Sequence, residues 1–115
     1  MKIKEISVNT LVEWQKRGEK FKLIDIRSQG EMQNGMIPTG AAHPMTAIAG
    51  ELDRYQQEET IVIYCRSGVR SAQVCSFMQQ HGFTDVINLG GGIMDWAKQG
   101  LEVVVPTEDV LQACL

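Results

Sequence analysis

Ile61-Val62-Ile63-Tyr64-Cys65-Arg66-Ser67-Gly68-Val69-Arg70-Ser71 is the stretch on which the reading of this chain turns. Its apolar, β-branched start reads as a buried strand, and the residues after Gly68 open a helical pattern. A strand ends, a cysteine sits at the turn, and a helix begins within a few residues. A helix N-terminus leaves backbone N–H groups unpaired and carries roughly half a positive charge. A thiol placed there loses its proton readily, with a pKa of about 3.5–7.5 against about 8.5 when free. Arg66 and Arg70 add two positive charges. Gly68 lets the backbone turn with φ > 0, so that successive N–H groups converge as an anion nest. The stretch describes a small cup for a nucleophilic anion and the negative group it attacks. An apolar strand ending in cysteine is also ordinary core. The basic residues and the glycine that follow decide for function.

The rest of the chain narrows the setting. Its 115 residues suffice for one compact domain, taken here as 1–115, and are too few for two. An apolar fraction of 43% and a charged fraction of 22% belong to a soluble globular protein. A net charge of −3 provides no general basic field for nucleic acid or anionic lipid, so the arginines beside Cys65 have a local purpose. No apolar run approaches the ~18 residues of a membrane span, and Met1-Lys2-Ile3-Lys4-Glu5 lacks the apolar core of a secretory signal. Cytoplasm is the default location. Cys65, Cys75 and Cys114 are an odd number without metal-binding spacing, which argues against a disulfide framework and against zinc. His43 and His81 are far apart in sequence, and His81 precedes Gly82 at an expected helix end, where it serves as a cap.

Short apolar strands alternate with helical segments. Strands are expected at Ile3–Ile6, Phe21–Ile26, around Ala42–Pro44, Thr60–Tyr64 and Val86–Leu89. Helices are expected after the N-cap Ser7 and up to Gly18, over Thr46–Tyr55, Ser71–His81 and Ile93–Lys98, and from a Thr107 cap to Leu115. Val74, Cys75 and Met78 share one face of the Ser71–His81 helix, with Phe77 at its margin, which makes Cys75 core filler. Met45 likewise reads as gap-filling core. The alternation predicts an α/β fold with a mainly parallel sheet between helical layers. Ligands bind such sheets beyond the carboxyl ends of the strands, where Asp25, Cys65 and Gly90-Gly91-Gly92 all fall. Arg27 and Glu31 are four residues apart and can pair across a short helix. The pair reads as a loop-pinning contact worth about 0.3–0.5 kcal/mol rather than as catalytic.

Several motifs in order resemble the single-domain rhodaneses, the thiosulfate sulfurtransferase family. Leu23-Ile24-Asp25-Ile26-Arg27 with Glu31 resembles the amino-terminal signature. Gly35-Met36-Ile37-Pro38 and Gly40-Ala41 resemble the second motif, with Met36 where histidine is usual and Thr39 lengthening the turn by one residue. Cys65 to Ala72 resembles the active-site loop. Gly82-Phe83, then Gly91-Gly92-Ile93 with Trp96, resemble the closing motif. The likeness is clearest over residues 23–101. It implies a central five-stranded parallel sheet with helices on both faces. It also implies Cys65 as the nucleophile that carries a persulfide, with Asp25, Arg27, Glu31, Gly91 and Gly92 in support. The Met36 departure touches a loop and not the cup.

The chemistry so implied is transfer of sulfane sulfur from thiosulfate or a similar anionic donor to cyanide, a thiol or a protein cysteine. It requires no cofactor and no metal. The loop residues Arg66, Ser67, Gly68, Val69, Arg70 and Ser71 would bind the donor, with backbone N–H groups of 66–70 around the sulfur and an arginine on the sulfonate. A sulfur-relay module serving a protein partner is the alternative from another class. A phosphatase or arsenate reductase on the same fold is the closest enzymatic rival. Four residues separate Cys65 from Arg70, one fewer than the phosphatase type, and the narrower cup favours sulfur.

Overall fold

The computed structural model describes residues 2–112. Side chains alternate across a strand, so the run Ile61–Tyr64, called β4 below, presents Ile61 and Ile63 to one side and Val62 and Tyr64 to the other. All four are buried, as expected for a strand covered on both faces. The other strands are β1 (Lys4–Ile6), β2 (Lys22–Asp25), β3 (Ala41–Ala42) and β5 (Val86–Leu89). They form a five-stranded sheet in the order β1-β5-β4-β2-β3, and every ladder is parallel.

Two helical layers cover the sheet. On one face, Ile24, Ile26, Ile61 and Ile63 pack with Val74, Cys75 and Met78 of α4 (Val69–Gln80) and with Ile48 of α3 (Met45–Ile48). Cys75 and Met45 therefore belong to core packing, Cys75 fully and Met45 at the edge. On the other face, Leu23, Val62, Tyr64, Ile87 and Leu89 meet Val8 and Leu11 of α1 (Val8–Arg17) and Ile93 and Trp96 of α5 (Gly92–Lys98). Burying each such side chain contributes about 1.5–3 kcal/mol. The two layers fix β4 as the central rod whose carboxyl end delivers Cys65.

The helix ends follow the local chemistry. Ser7 caps α1 by accepting from Thr10 N at 3.2 Å, and Gly18 closes it at φ 70°. His81 stands at the carboxyl end of α4 and donates from Nδ1 to Phe77 O at 2.8 Å. The helix expected over Thr46–Tyr55 is instead two short pieces, α3 and a 3₁₀ turn at Leu52–Arg54. Gly50 disfavours a continued helix, and Gly50 N and Glu51 N bond only three residues back, to Ala47 O and Ile48 O. His43 pins this region. It is buried, with Nδ1 2.5 Å from the Tyr55 hydroxyl and Nε2 2.7 Å from Glu51 Oε1.

The segment after α5 folds back along the molecule. Met36 and Val104 form an antiparallel bridge with N–O separations of 2.7 and 2.9 Å, a pairing that the sequence reading did not foresee. The last described helix, α6 (Glu108–Gln112), then sets Leu111 against Met32 and Met36. The Thr107 hydroxyl accepts from Val110 N at 3.4 Å. The expected extension of this helix to Leu115, and Cys114 with it, lie outside the described residues.

Candidate active site

At the end of β4 the backbone turns through Cys65–Gly68 and enters α4 at Val69, two residues before the expected start at Ser71. Gly68 occupies the N-cap at φ 104° and has no side chain with which to cap. The sulfur of Cys65 takes that role. Its Sγ accepts from Gly68 N at 3.1 Å and from Ser71 N, the third helical residue, at 3.4 Å. A conventional cap oxygen accepts from the same position. The Ser71 hydroxyl lies 3.3 Å from Sγ on the buried side.

Burial alone would push the Cys65 thiol up. The contact with the Ser71 hydroxyl and hydrogen bonds from the N–H groups of Ser71, Gly68 and Ser67 outweigh it, and the thiol lies below its ordinary value. Cys75, one helical turn beyond Ser71, shows what burial does without such donors. Its thiol is pushed up to about 12 by burial and by the neighbouring Cys65 charge. The two thiols are shifted in opposite directions, Cys65 down and Cys75 up.

The arginines divide differently from the sequence expectation. Arg70 forms a two-pronged pair with Glu31 of α2 (Gln29–Met32), Nη1–Oε1 and Nη2–Oε2 both at 2.8 Å. Its guanidinium is thus occupied by a carboxylate. Arg66 is exposed, and among the described residues its side chain has no hydrogen-bond or ion-pair partner. The expected Arg27–Glu31 ion pair does not form; Arg27 Nη1 meets only the backbone carbonyl of Glu31, at 3.4 Å. Arg27 is buried and grips Asp25, with Nη2–Oδ2 at 2.8 Å and Nε at 3.1 Å from both oxygens. The short turn Ser28–Met32 rotates Glu31 away, toward α4, because its carboxylate also closes a capping box on Ser28. Arg27 Nη2 reaches Gly35 O at 2.6 Å instead.

Gly91 and Gly92 support the cup from the opposite side. A Cβ on Gly92 would meet Cys65 O and Arg66 O at 2.5 Å, and its φ is 56°, so only glycine allows α5 to start there. Ile93 N and Met94 N then donate to Cys65 O and Arg66 O, both at 3.0 Å. Gly91 N lies 3.4 Å from the Cβ position of Gly68. Val69 is 65% exposed, and its side chain lies outside the cup. Cys65, Ser67, Gly68 and Ser71 thus gather around the sulfur, with Arg70 beside it. Asp25 and Arg27 lie beneath as scaffolding. The sequence reading missed Asn88, whose buried amide joins Ser71 to the loop.

Two clefts flank the cup. One, of about 280 Å³, runs past Arg27, Gly35, Arg66, Met94 and Val103. The other, of about 470 Å³ and mostly apolar, is walled by Ile26, Pro44, Met45 and Arg70. Cys65 itself is only 1% exposed. No group of three or more His, Cys, Asp or Glu side chains that could hold a metal gathers among the described residues. No described helix is long and apolar enough to cross a membrane.

Arginine 70 makes one consequence of this arrangement measurable. Its hydrogen bonds hold the Glu31 carboxyl at about 2, against 4.5 ordinarily, partly opposed by burial. A carboxyl depressed in the folded state stabilises above its unfolded value, and that contribution is lost as pH falls from about 4.5 through about 2. Both partners are about one-third exposed, so the pair is worth no more than about 1 kcal/mol. Glu31→Gln is expected to lower the denaturant midpoint slightly at pH 6 and to match the wild type near pH 2.

The central strand of this parallel sheet thus ends in a cysteine whose sulfur is cradled by the first turn of the next helix and whose thiol lies below its ordinary value. The chain belongs to the rhodanese-like domain family, which it matches over residues 7–99. It is 39% identical over 104 residues to a sulfurtransferase of Allochromatium vinosum, covering 90% of this chain and 97% of that one. It is 38% identical over 96 residues to the YtwF protein of Bacillus subtilis, covering 84% and 92% respectively. A rhodanese-like domain protein from Staphylococcus aureus superposes with a TM-score of 0.79 at 30% identity, over 89% of this chain and 99% of that one.

Proposed function

We propose that this protein transfers sulfane sulfur from a small anionic donor such as thiosulfate to a thiophilic acceptor, through a persulfide on Cys65. The observation that carries the reading is the sulfur's seat. Sγ occupies the cap position of α4, under N–H donors at 3.1 and 3.4 Å, with its pKa held down. Its relative from Allochromatium vinosum is described as a sulfurtransferase.

In the first half-reaction the Cys65 thiolate attacks the outer sulfur of thiosulfate. A new S–S bond forms, the old one breaks, and sulfite leaves with the bonding pair. The charge on the product persulfide is spread onto a terminal sulfur that the same N–H groups can reach. Arg66, with its guanidinium unengaged, is the group that meets the leaving sulfonate, since Arg70 is held by Glu31. In the second half-reaction cyanide, a thiolate or a protein cysteine attacks the terminal sulfur and returns Cys65 as thiolate. Splitting the transfer in two is covalent catalysis, and donors aimed at developing charge contribute about 2.7–4 kcal/mol each.

Intact-mass measurement after thiosulfate treatment tests this. One added sulfur atom is expected, removed by a small thiol or cyanide. A protein that gains no sulfur from thiosulfate and none from a protein persulfide would refute the proposal. Four residues separate Cys65 from Arg70, one fewer than in the phosphatase type, and a shorter loop disfavours seating three phosphoryl oxygens, each with a donor at about 2.7–3.1 Å. Hydrolysis of aryl phosphates is therefore expected to be negligible in the same preparation. Robust phosphatase turnover would replace the sulfur assignment.

A further inference from the structure

Ser71 and Asn88 are both buried, and together they present a problem of proton supply beside Cys65. The Asn88 amide nitrogen lies 3.0 Å from Glu5 Oε1 and 3.1 Å from Gly68 O. A carboxylate and a carbonyl only accept, so both amide protons are committed to them. That fixes the amide's orientation and turns Oδ1 toward the Ser71 hydroxyl, at 2.5 Å. An amide oxygen also only accepts, so the Ser71 hydroxyl donates to it. A hydroxyl has one proton to give. Cys65 Sγ, 3.3 Å away on the other side, then faces a Ser71 lone pair. A protonated thiol can donate to that lone pair. A thiolate cannot, and gains the hydroxyl only if the proton turns away from Asn88.

We propose that Asn88 is a positioning residue for Cys65: it holds the Ser71 hydroxyl proton while the sulfur rests as a thiol and releases it to the sulfur anion. Ionisation passes the S–H proton to solvent. The Ser71 O–H then rotates about its C–O bond toward Sγ, and Asn88 Oδ1 loses one hydrogen bond. The S–H donation to Ser71 ends with the proton's departure, and donation from the Ser71 O–H to Sγ replaces it. The same amide ties the cup to the edge of the sheet, since Gly68 O is the carbonyl of the N-cap whose N–H donates to Sγ. The inference rests on the reading of Cys65 as the reacting sulfur, but its readout does not require turnover.

Other charges near the sulfur stay in place when Asn88 is changed. Arg66 lies on the loop, Arg70 on α4 is paired with Glu31 of α2, and Asp25 and Arg27 on β2 are paired with each other. Cys75 on α4 stays a thiol throughout the neutral range. Glu5 on β1 accepts from Asn88 and lies against Gly90.

The experiment measures the pH dependence of Cys65 alkylation by iodoacetamide, read from the mass of the peptide that contains it. Asn88→Ala frees the Ser71 hydroxyl for the thiolate, and its midpoint is expected to fall by about one pH unit. Asn88→Asp keeps an acceptor on Ser71 and adds negative charge, so its midpoint is expected to rise. A role confined to holding the loop's shape would move both in the same direction, and that result would overturn the proposal. In a Ser71→Ala background, Asn88→Ala is expected to leave the midpoint unchanged. An equal fall there would show that the hydroxyl is not the intermediary and would also overturn it. Should Asn88→Ala not fold, the rise in Asn88→Asp and its loss of size in Ser71→Ala decide alone. Absence of sulfur loading with these midpoints intact would count against the sulfurtransferase reading and not against the role of Asn88.

Discussion

Cys65→Ser is expected to abolish sulfur transfer, by at least about 10³-fold, while Cys75→Ser retains most of it. The difference follows from two buried thiols in one core cluster, Cys65 at the end of β4 and Cys75 on α4, that experience opposite fields. Sγ of Cys65 accepts from Gly68 N and Ser71 N, and these donors more than offset its burial. Cys75 is equally buried but lies against Ile and Val side chains, with its thiol pushed up to about 12. A serine at 65 keeps the cap geometry, since its oxygen can accept from the same N–H groups. The variant should therefore fold with a denaturant midpoint close to the wild type. What it loses is the thiol whose pKa the surrounding donors hold below its ordinary value, and with it the proposed carrier of the transferred sulfur. Both variants are to be assayed for thiosulfate-dependent transfer to cyanide and to a small thiol, and weighed intact after thiosulfate treatment. Full activity in Cys65→Ser, or loss of sulfur loading in Cys75→Ser alone, would move the nucleophile elsewhere.

Much of the fold was legible because its signals are local. Val86–Leu89 and the Ser7 cap read directly from alternation and capping chemistry, and the structure has both at those positions. The cup was legible for the same reason: strand end, cysteine, glycine and helix start lie within a few residues. The contacts between segments were not. Arg27 sees Glu31 four residues away in the sequence, yet its partner is Asp25, two residues behind, because β2 ends with Arg27 folded beneath its own strand. Glu31 finds Arg70, thirty-nine residues on, since α2 and α4 meet beside the same strand end. Asn88 looked like one more strand residue. Only the sheet order, which places β5 beside β4, brings it to Ser71.

The distribution of charge has a consequence for specificity. With Arg70 neutralised by Glu31, the net positive charge at the cup rests on Arg66 at the mouth of the smaller cleft. The sulfur has backbone dipoles for its own charge, and under the proposed function Arg66, exposed and without a carboxylate partner among the described residues, is the cation left for the leaving group. The apolar cleft on the Arg70 side offers no such cation.

Arg27→Ala is expected to be the most destabilising of the substitutions considered, by about 3–5 kcal/mol. Asp25 is fully buried, and its carboxylate depends on Arg27 for contacts at 2.8 and 3.1 Å and for the backbone N–H of Arg27 at 2.9 Å. Alanine leaves that backbone donor but removes the guanidinium, so an unpaired anion remains without water. It also strips Gly35 O of its 2.6 Å donor and loosens the turn that presents Glu31 to Arg70. The sulfur's own hydrogen bonds come from Gly68 and Ser71, which Arg27 does not touch. Stability and thiol chemistry should therefore separate: the denaturant midpoint falls sharply, while the folded fraction alkylates Cys65 with a pH midpoint near that of the wild type. The paired change Asp25→Leu with Arg27→Met removes both charges together and is expected to recover a large part of the loss, because a buried ion pair replaced by apolar groups is often neutral. An unchanged denaturant midpoint in Arg27→Ala with turnover abolished would instead make Arg27 a direct participant in the reaction.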